Sequence, residues 1–392
     1  MASVPPMSAE PVAVEGMLAG IEPHPHARAV LLPALPPTGS PSHAYLFHGP
    51  SGTGKRTVAR AFAAALLADG AQQPQTVLAR VQRGAHPDLT WVTPSGASEV
   101  LVSDIDEPVV AAAAHTPFES SRRVFVIEAA GSMNDQAANR LLKTLEEPPP
   151  FAHLILLAEH REDVLPTIAS RCQQVRFDPL SDELLAERLQ GGEGATSIEP
   201  ERAAACARLA AGDGQLAELL ASERGIALRE CAEQFVRSAL QDDVEQRRWM
   251  GLLEAAKAAG AVAGAAVSER LHEQAGFLPT KEQRKYEREG ADVVRRAERR
   301  ERTATLELGL RLVELWLRDI WCLLVGAPEL AYACDRSVEL AADAAGRDAA
   351  SLQRGVELVR DTRLRLDLNV SEELALEALA YRLAELLAHR AA

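Results

Sequence analysis

The run Tyr45–Thr57, YLFHGPSGTGKRT, restricts the possible folds of this chain more than any other stretch. A short apolar strand hands a glycine-rich turn and a lysine to the start of an alanine-rich helix, Val58–Leu67. Gly49, Gly52 and Gly54 let the backbone turn tightly enough for its N–H groups to ring a polyphosphate, and the helix turns its positive end to the same place. Lys55 adds a point charge for the outer phosphates. The pattern is that of a phosphate-binding loop, with ATP or ADP as the ligand such a loop is built for. It departs from that pattern at one position. Where a Ser or Thr hydroxyl would meet Mg²⁺, the chain has Arg56, and Thr57 comes one residue late. The loop is equipped to hold a nucleotide and poorly equipped to hydrolyse one. Whether Arg56 helps by pairing with a phosphate or hinders by filling the metal's place stays open at this level.

From Ala44 strands and helices alternate. Leu89–Thr93, Val124–Ile127 and Leu154–Leu157 are short apolar runs rich in strand formers, and helical periodicity marks Val109–Ala114 and Asn134–Glu147. Alternation of this kind predicts a parallel sheet covered on both faces. Pro148–Pro150 stops one helix abruptly, because proline lacks the amide donor and restricts the residue before it. Ten of the 23 prolines fall in the first 50 residues, so Met1–Pro11 reads as a frayed tail, followed by a short helix at Ala27–Leu35. After Pro179 the strand signal ends. Ser181 to about Gly225 reads as short helices broken at Gly191–Gly194, and the remainder as long helices. In the last one, Asn369 and Glu372 form a capping-box pattern and Leu376, Leu379, Leu383 and Leu386 an apolar stripe, suited to the core or to another subunit.

At 392 residues, two or three domains are expected. Only 4% of the residues are aromatic and alanine and leucine dominate, which favours helix over sheet. The five cysteines (Cys172, Cys206, Cys231, Cys322, Cys334) are odd in number and scattered. They predict a reducing compartment, no disulfide frame and no metal site. His24, His26 and His43 lack carboxylate or thiol neighbours in sequence and read as surface histidines. The N-terminus shows no basic region followed by an apolar run, and no segment is read as a membrane span, so the expected location is cytoplasmic. A net charge of −14 argues against general adhesion to nucleic acid. Lys281–Arg302 is the local exception, with nine Lys or Arg against six Asp or Glu. It reads as an exposed charged helix with i,i+4 pairs, and less readily as a stand-alone nucleic-acid site.

Three further segments narrow the reading. Arg122–Ala130, RRVFVIEAA, is a strand ending in Glu128. Asn139–Pro149, NRLLKTLEEPP, follows, and Leu165–Cys172, LPTIASRC, closes the region. Together with HPD at His86–Asp88 and NVSEELALEALAYRL from Asn369, these resemble the bacterial clamp loader, the AAA+ machine that opens the sliding clamp of the replicative DNA polymerase III. The resemblance implies an α/β then all-α chain. Its parts would be a flexible tail (1–20), an AAA+ base domain with a parallel sheet and flanking helices (21–178), a small helical lid (179–225) and a C-terminal helical collar (226–392) with the charged insertion at about 281–302. It implies partners as well: motor subunits of the gamma/tau type, a delta subunit and, through the complex, the sliding clamp and primer-template DNA, with no membrane. Subunits of this family commonly carry a four-cysteine zinc module between the phosphate loop and HPD. Asp69–Ala85 has no cysteine, so zinc is not expected, and apolar packing around Val77, Leu78 and Val81 is expected in its place.

The departures from the family pattern carry as much as the matches. A motor needs an acidic pair at the end of its Walker B strand, and here Glu128 is followed by Ala129, so no carboxylate orients the attacking water. Glu159 stands in line with the polar sensor, and Gln215 with the sensor arginine of the lid. The resemblance therefore implies a non-motor member with little or no ATPase of its own, within a polymerase holoenzyme. Its degenerate nucleotide site would comprise Gly49, Gly52, Gly54, Lys55, Thr57 and Glu128. Arg171 in Ser170–Arg171–Cys172 stands at the family's arginine finger, acting in trans on a neighbour's γ-phosphate. The competing reading is an ATP-hydrolysing motor of the gamma/tau type, with Thr57 reaching the metal and Glu128 serving it.

Overall fold

The structure, a computed structural model, describes residues 18–94, 99–191, 198–275, 280–366 and 370–388, without the side chains of residues 274 and 280–289. Its contacts divide the chain into two compact units. The first runs to Ser181 and also takes in Gly212–Gln215; the second holds Asp182–Ala211 and everything from Leu216.

The first unit is built on a parallel sheet, five-stranded among the described residues: β1 (Ala44–His48), β2 (Leu89–Val92), β3 (Arg123–Ile127), β4 (Ala152–Ala158) and β5 (Gln173–Arg176). The spatial order is β2-β3-β4-β1-β5. In register, Leu46 lies opposite Leu156 of β4 and Gln174 of β5. Side chains alternate between the faces of a strand, which splits the core in two. Tyr45, Phe47, Val124, Val126, Ile155 and Leu157 pack on one side with Phe62 and Leu66 of the helix Lys55–Leu67. Ala44, Leu46, Phe125, Ile127, Leu154 and Leu156 pack on the other with Leu141 and Leu145 of the helix Asp135–Glu146. Burial on both faces is why these strands read as continuous apolar runs. β5 had no such signal, because it is an edge strand of which only Val175 is buried.

The expected helix at Val109–Ala114 is different in kind. An α-turn at Val102–Ile105 runs into a wider π-helical turn, Asp106–Ala111. Pro108 lies inside it and cannot donate the amide that a regular turn requires. The N-terminal helix is Pro25–Leu31, continued by a 3₁₀ turn at Leu32–Ala34. Leu18 and Ile21 are fully buried, so packed structure begins before residue 21; residues 1–17 of the expected tail lie outside the description. Helix Pro74–Gln82 occupies the cysteine-free interval. It buries Val81 and packs Val77 and Leu78 against the core, the apolar arrangement expected there.

The second unit's elements are all helices among its described residues. Residues Met250–Ala275 and Thr280–Leu324 form two long helices. They run antiparallel at close range: a Cβ on Gly260 would stand 2.8 Å from the Glu298 carbonyl, and one on Gly309 2.9 Å from Leu252. Lys281–Arg302 is therefore the first part of a 45-residue helix. Arg295 pairs with Asp292, but Glu301 binds Arg224 and Arg302 binds Glu372, on other helices. The expected pattern of i,i+4 pairs along a solvated face is thus corrected in part, because helices packed alongside bring in partners that spacing along one helix does not reveal. Among the described residues Val244–Glu273 holds one helix long and apolar enough, by length and composition, to cross a membrane. That corrects the expectation of no such segment. Its Leu252, Leu253, Ala256 and Ala259 are buried within the unit.

In the last helix, Glu372–Leu387, the buried stripe is Leu376, Leu379, Leu383 and Leu387, with Leu386 only half-buried. Eleven residues after Leu376 the 3.6-residue period returns to the same face at Leu387. Asn369 of the expected capping box lies outside the described residues, and Ser371 is the N-cap.

Candidate functional site

The phosphate loop follows the carboxyl end of β1. Gly49, Gly52 and Gly54 all have positive φ (147°, 66° and 89°), which glycine adopts without steric cost. Gly49 also admits close backbone approach, since a Cβ there would stand 2.0 Å from the Phe177 carbonyl oxygen. Its N–H donates to the Glu159 carbonyl at 3.1 Å. From the other side His24 Nε2 lies 2.7 Å from the Thr53 carbonyl oxygen and its ring packs on Phe177 at 4.8 Å. His24 is buried, and His26 Nδ1 accepts the Arg176 N–H at 3.0 Å. Both correct the expectation of surface histidines; His43 is half-buried. Their partners come from residues 29 and 150 positions away, beyond the reach of local pattern.

The cations of the loop are engaged within the unit. Lys55 Nζ donates to the carbonyls of Gly49 and Pro50, each at 2.5 Å. Burial lowers its pKa, while the carboxylates of Glu159 and Asp213 act to raise it. Arg56 Nε stands 2.9 Å from Glu128 Oε1, with Arg56 61% and Glu128 16% exposed. The same oxygen accepts the Trp91 indole N–H at 2.6 Å, and Arg60 stacks over the Trp91 ring at 4.6 Å. The guanidinium that follows Lys55 thus pairs with the carboxylate at the end of β3. Ala129 follows in a left-handed conformation, φ 52°. Thr57 lies beside Gly20, where a Cβ would stand 3.6 Å from its methyl. Arg56 and Glu128 are brought together, Lys55 lies with Glu159 and Asp213, and the Thr57 methyl lies beside Gly20.

Gly212–Gln215 lies against this loop. The Gly214 N–H donates to the Gly52 carbonyl at 3.1 Å, and a Cβ on Gly52 would stand 1.6 Å from Asp213 Oδ1. Asp213, Trp91 and His24 are site residues that the sequence reading missed. Asp213 adjoins the noted Gln215, yet no local pattern connects it to Gly52, about 160 residues earlier in the chain.

Arg171 is at the opposite end of the sheet. It precedes β5, whose Gln173 pairs with Tyr45 near the start of β1, whereas the loop follows His48 at the other end. With strands rising about 3.3 Å per residue, the two ends are separated by roughly 15 Å of sheet. The Arg171 guanidinium donates to the Thr167 carbonyl and to Glu146 Oε1, both at 2.8 Å, and remains 37% exposed. Glu146 belongs to the NRLLKTLEEPP run, so two of the quoted motifs meet in this pair. HPD has a structural role. Asp88 is fully buried and accepts three backbone N–H groups, from Phe118 (2.6 Å), Glu119 (3.0 Å) and Ser120 (3.0 Å), fixing the turn that enters β3.

A parallel sheet of this order, with a glycine-rich loop and lysine after its β1 strand and an acidic residue after β3, defines the class of phosphate-loop folds. Residues 31–181 match the family described as DNA polymerase III, delta subunit. The chain is 37% identical over 154 residues to DNA polymerase III subunit delta′ of Bacillus subtilis, covering 38% of this chain and 46% of the relative. It is 38% identical over 138 residues to subunit delta′ of Pseudomonas aeruginosa, covering 34% and 42%. To subunit tau of Bacillus subtilis it is 30% identical over 185 residues, covering 46% and 32%. The chain thus spans less than half the length of these relatives. Over the matched region, the comparisons support the resemblance to a clamp loader delta-prime subunit of DNA polymerase III that the motifs carry.

Proposed function

We propose that this chain serves as the delta-prime subunit of the DNA polymerase III clamp loader, a non-motor member that presents Arg171 in trans to the nucleotide of a neighbouring subunit. The observation that carries the reading is the position of Arg171 at the sheet end remote from its own phosphate loop, with its guanidinium partly exposed. A fixed planar cation placed there is of no use to its own loop and is available to a neighbour's γ-phosphate. In the chain's own site the metal's place is taken by the Arg56–Glu128 pair and Ala129 supplies no base. A nucleotide, ATP or ADP, reaching that loop would not be turned over.

The partners in this reading are gamma/tau-type motor subunits and a delta subunit, with the sliding clamp and primer-template DNA engaged through the complex during replication in the cytoplasm. The motor reading needs Thr57 at the metal with Glu128 serving it, and Ala129 in place of a second carboxylate supports the non-motor reading instead.

The test is reconstitution with a motor subunit and delta. Purified alone, the chain should show background ATP turnover. Arg171→Ala should lower the DNA-stimulated ATPase of the assembly, with assembly intact by gel filtration and Arg171→Lys failing to restore the rate. Undiminished ATPase in the Arg171→Ala complex would refute the role of Arg171; steady turnover by the isolated chain, lost in Lys55→Ala, would favour the motor.

A further inference from the structure

The phosphate loop retains its glycines and lysine, yet two cations there, Lys55 and Arg56, face three carboxylates, Glu128, Glu159 and Asp213. One of these carboxylates sits in the loop itself. A Cβ built on Gly52 would lie 1.6 Å from Asp213 Oδ1, 2.1 Å from its Cγ and 2.7 Å from Oδ2, so the whole carboxylate rests on the Gly52 backbone. The segment carrying it is stitched down on both sides. Gly214 N–H donates to the Gly52 carbonyl at 3.1 Å, and Leu180 N–H donates to the Gly212 carbonyl at 3.1 Å. Gly212, with φ +89°, allows the approach, since a Cβ there would fall 2.6 Å from Pro179 Cβ.

We propose that Asp213 is the specificity-determining residue of this loop: its carboxylate is the loop's resident anion and excludes the phosphate chain of a nucleotide. A loop of glycine N–H groups with a lysine attracts one anion, and a carboxylate carried on the same chain is present at an effective concentration that free nucleotide does not match. A second polyanion cannot share the place, both for want of room above Gly52 and because like charges in a partly buried site repel strongly. The inference stands apart from the arginine-finger reading. It concerns the chain's own loop, and its test uses the isolated full-length chain without any partner.

The experiment is a fluorescence titration of the full-length protein with a fluorescently labelled ADP and ATP, with and without Mg²⁺. Asp213→Ala should bind at least tenfold more tightly than the unaltered chain, and adding Lys55→Ala should abolish the gain. Asp213→Asn keeps the volume and loses the charge. It should bind several-fold more tightly than the unaltered chain, and it provides the readout if Asp213→Ala does not fold by circular dichroism. Equal affinities in the unaltered chain and in a folded Asp213→Asn or Asp213→Ala variant would overturn the proposal. Whichever result is obtained, the Arg171→Ala measurement on the assembly is unaffected by it.

Discussion

Arg56, the residue after the loop lysine, and Glu128, the residue after β3, form an ion pair of 2.9 Å. The pair is anchored by a third group, the Trp91 indole, which donates to the same Glu128 oxygen. One substitution in the loop and the retained carboxylate are therefore a matched set, each neutralising the other. Arg56→Ser places a hydroxyl directly after Lys55 and frees Glu128. It should still leave ATP turnover at background in a phosphate-release assay, because Ala129 cannot orient water. Turnover well above background in this single variant would show that the missing carboxylate is supplied from elsewhere.

Asp88 organises the approach to β3 by accepting three backbone N–H groups while wholly buried. Asp88→Ala strands those donors and should destabilise the first unit by about 3 kcal/mol, since bonds to a charged acceptor are the stronger kind. Asp88→Asn keeps one acceptor oxygen and should cost less. Urea titration followed by circular dichroism measures both; a loss under about 1 kcal/mol in Asp88→Ala would mean that water replaces the carboxylate.

In the second unit Arg229 and Asp335 form a buried two-bond pair, Nη1 to Oδ2 at 3.0 Å and Nη2 to Oδ1 at 2.8 Å. Removing one partner leaves a buried charge alone. Asp335→Ala should cost about 3–5 kcal/mol, whereas Arg229→Met combined with Asp335→Leu should cost less than either half. A double-mutant cycle in urea tests this, and additive losses would show that the charges are not coupled.

Burial pushes the Cys172 thiol up to about 12 from an ordinary value of 9.0. A folded-state pKa above the unfolded one means that the native protein keeps a proton the unfolded chain releases. The associated stability is fully present below pH 9 and falls as pH rises toward 12, by about 1.4 kcal/mol per pH unit at most. At pH 8 Cys172 should resist iodoacetamide in the native state and react once unfolded, as read by mass spectrometry. Native labelling of Cys172 at the rate of a free thiol would contradict the burial.

Much of the first unit was legible because its signals are local. The glycines of the loop, the apolar runs of β1, β3 and β4 and the stop at Pro148 act over a few residues and can be read in order. β5 escaped because an edge strand buries too few side chains to leave a pattern, and the π-helical turn escaped because one proline changes the hydrogen bonding of a segment that still reads as periodic. The histidines were misjudged for a different reason: their partners stand far along the chain.

The sequence alone determined the chemistry available to this protein: a glycine-rich loop with arginine directly after its lysine, Glu128 followed by alanine at the end of a strand, and one arginine in a motif of its own. These are properties of residue type and short spacing. Tertiary structure decided what those groups do. It closed Arg56 onto Glu128, folded Lys55 back onto its own loop, set Asp213 over Gly52 and left Arg171 at the far end of the sheet. The reason is that a side chain's partner is chosen by strand order and crossover, which bring together residues as distant as Gly52 and Asp213, and no local pattern records that choice.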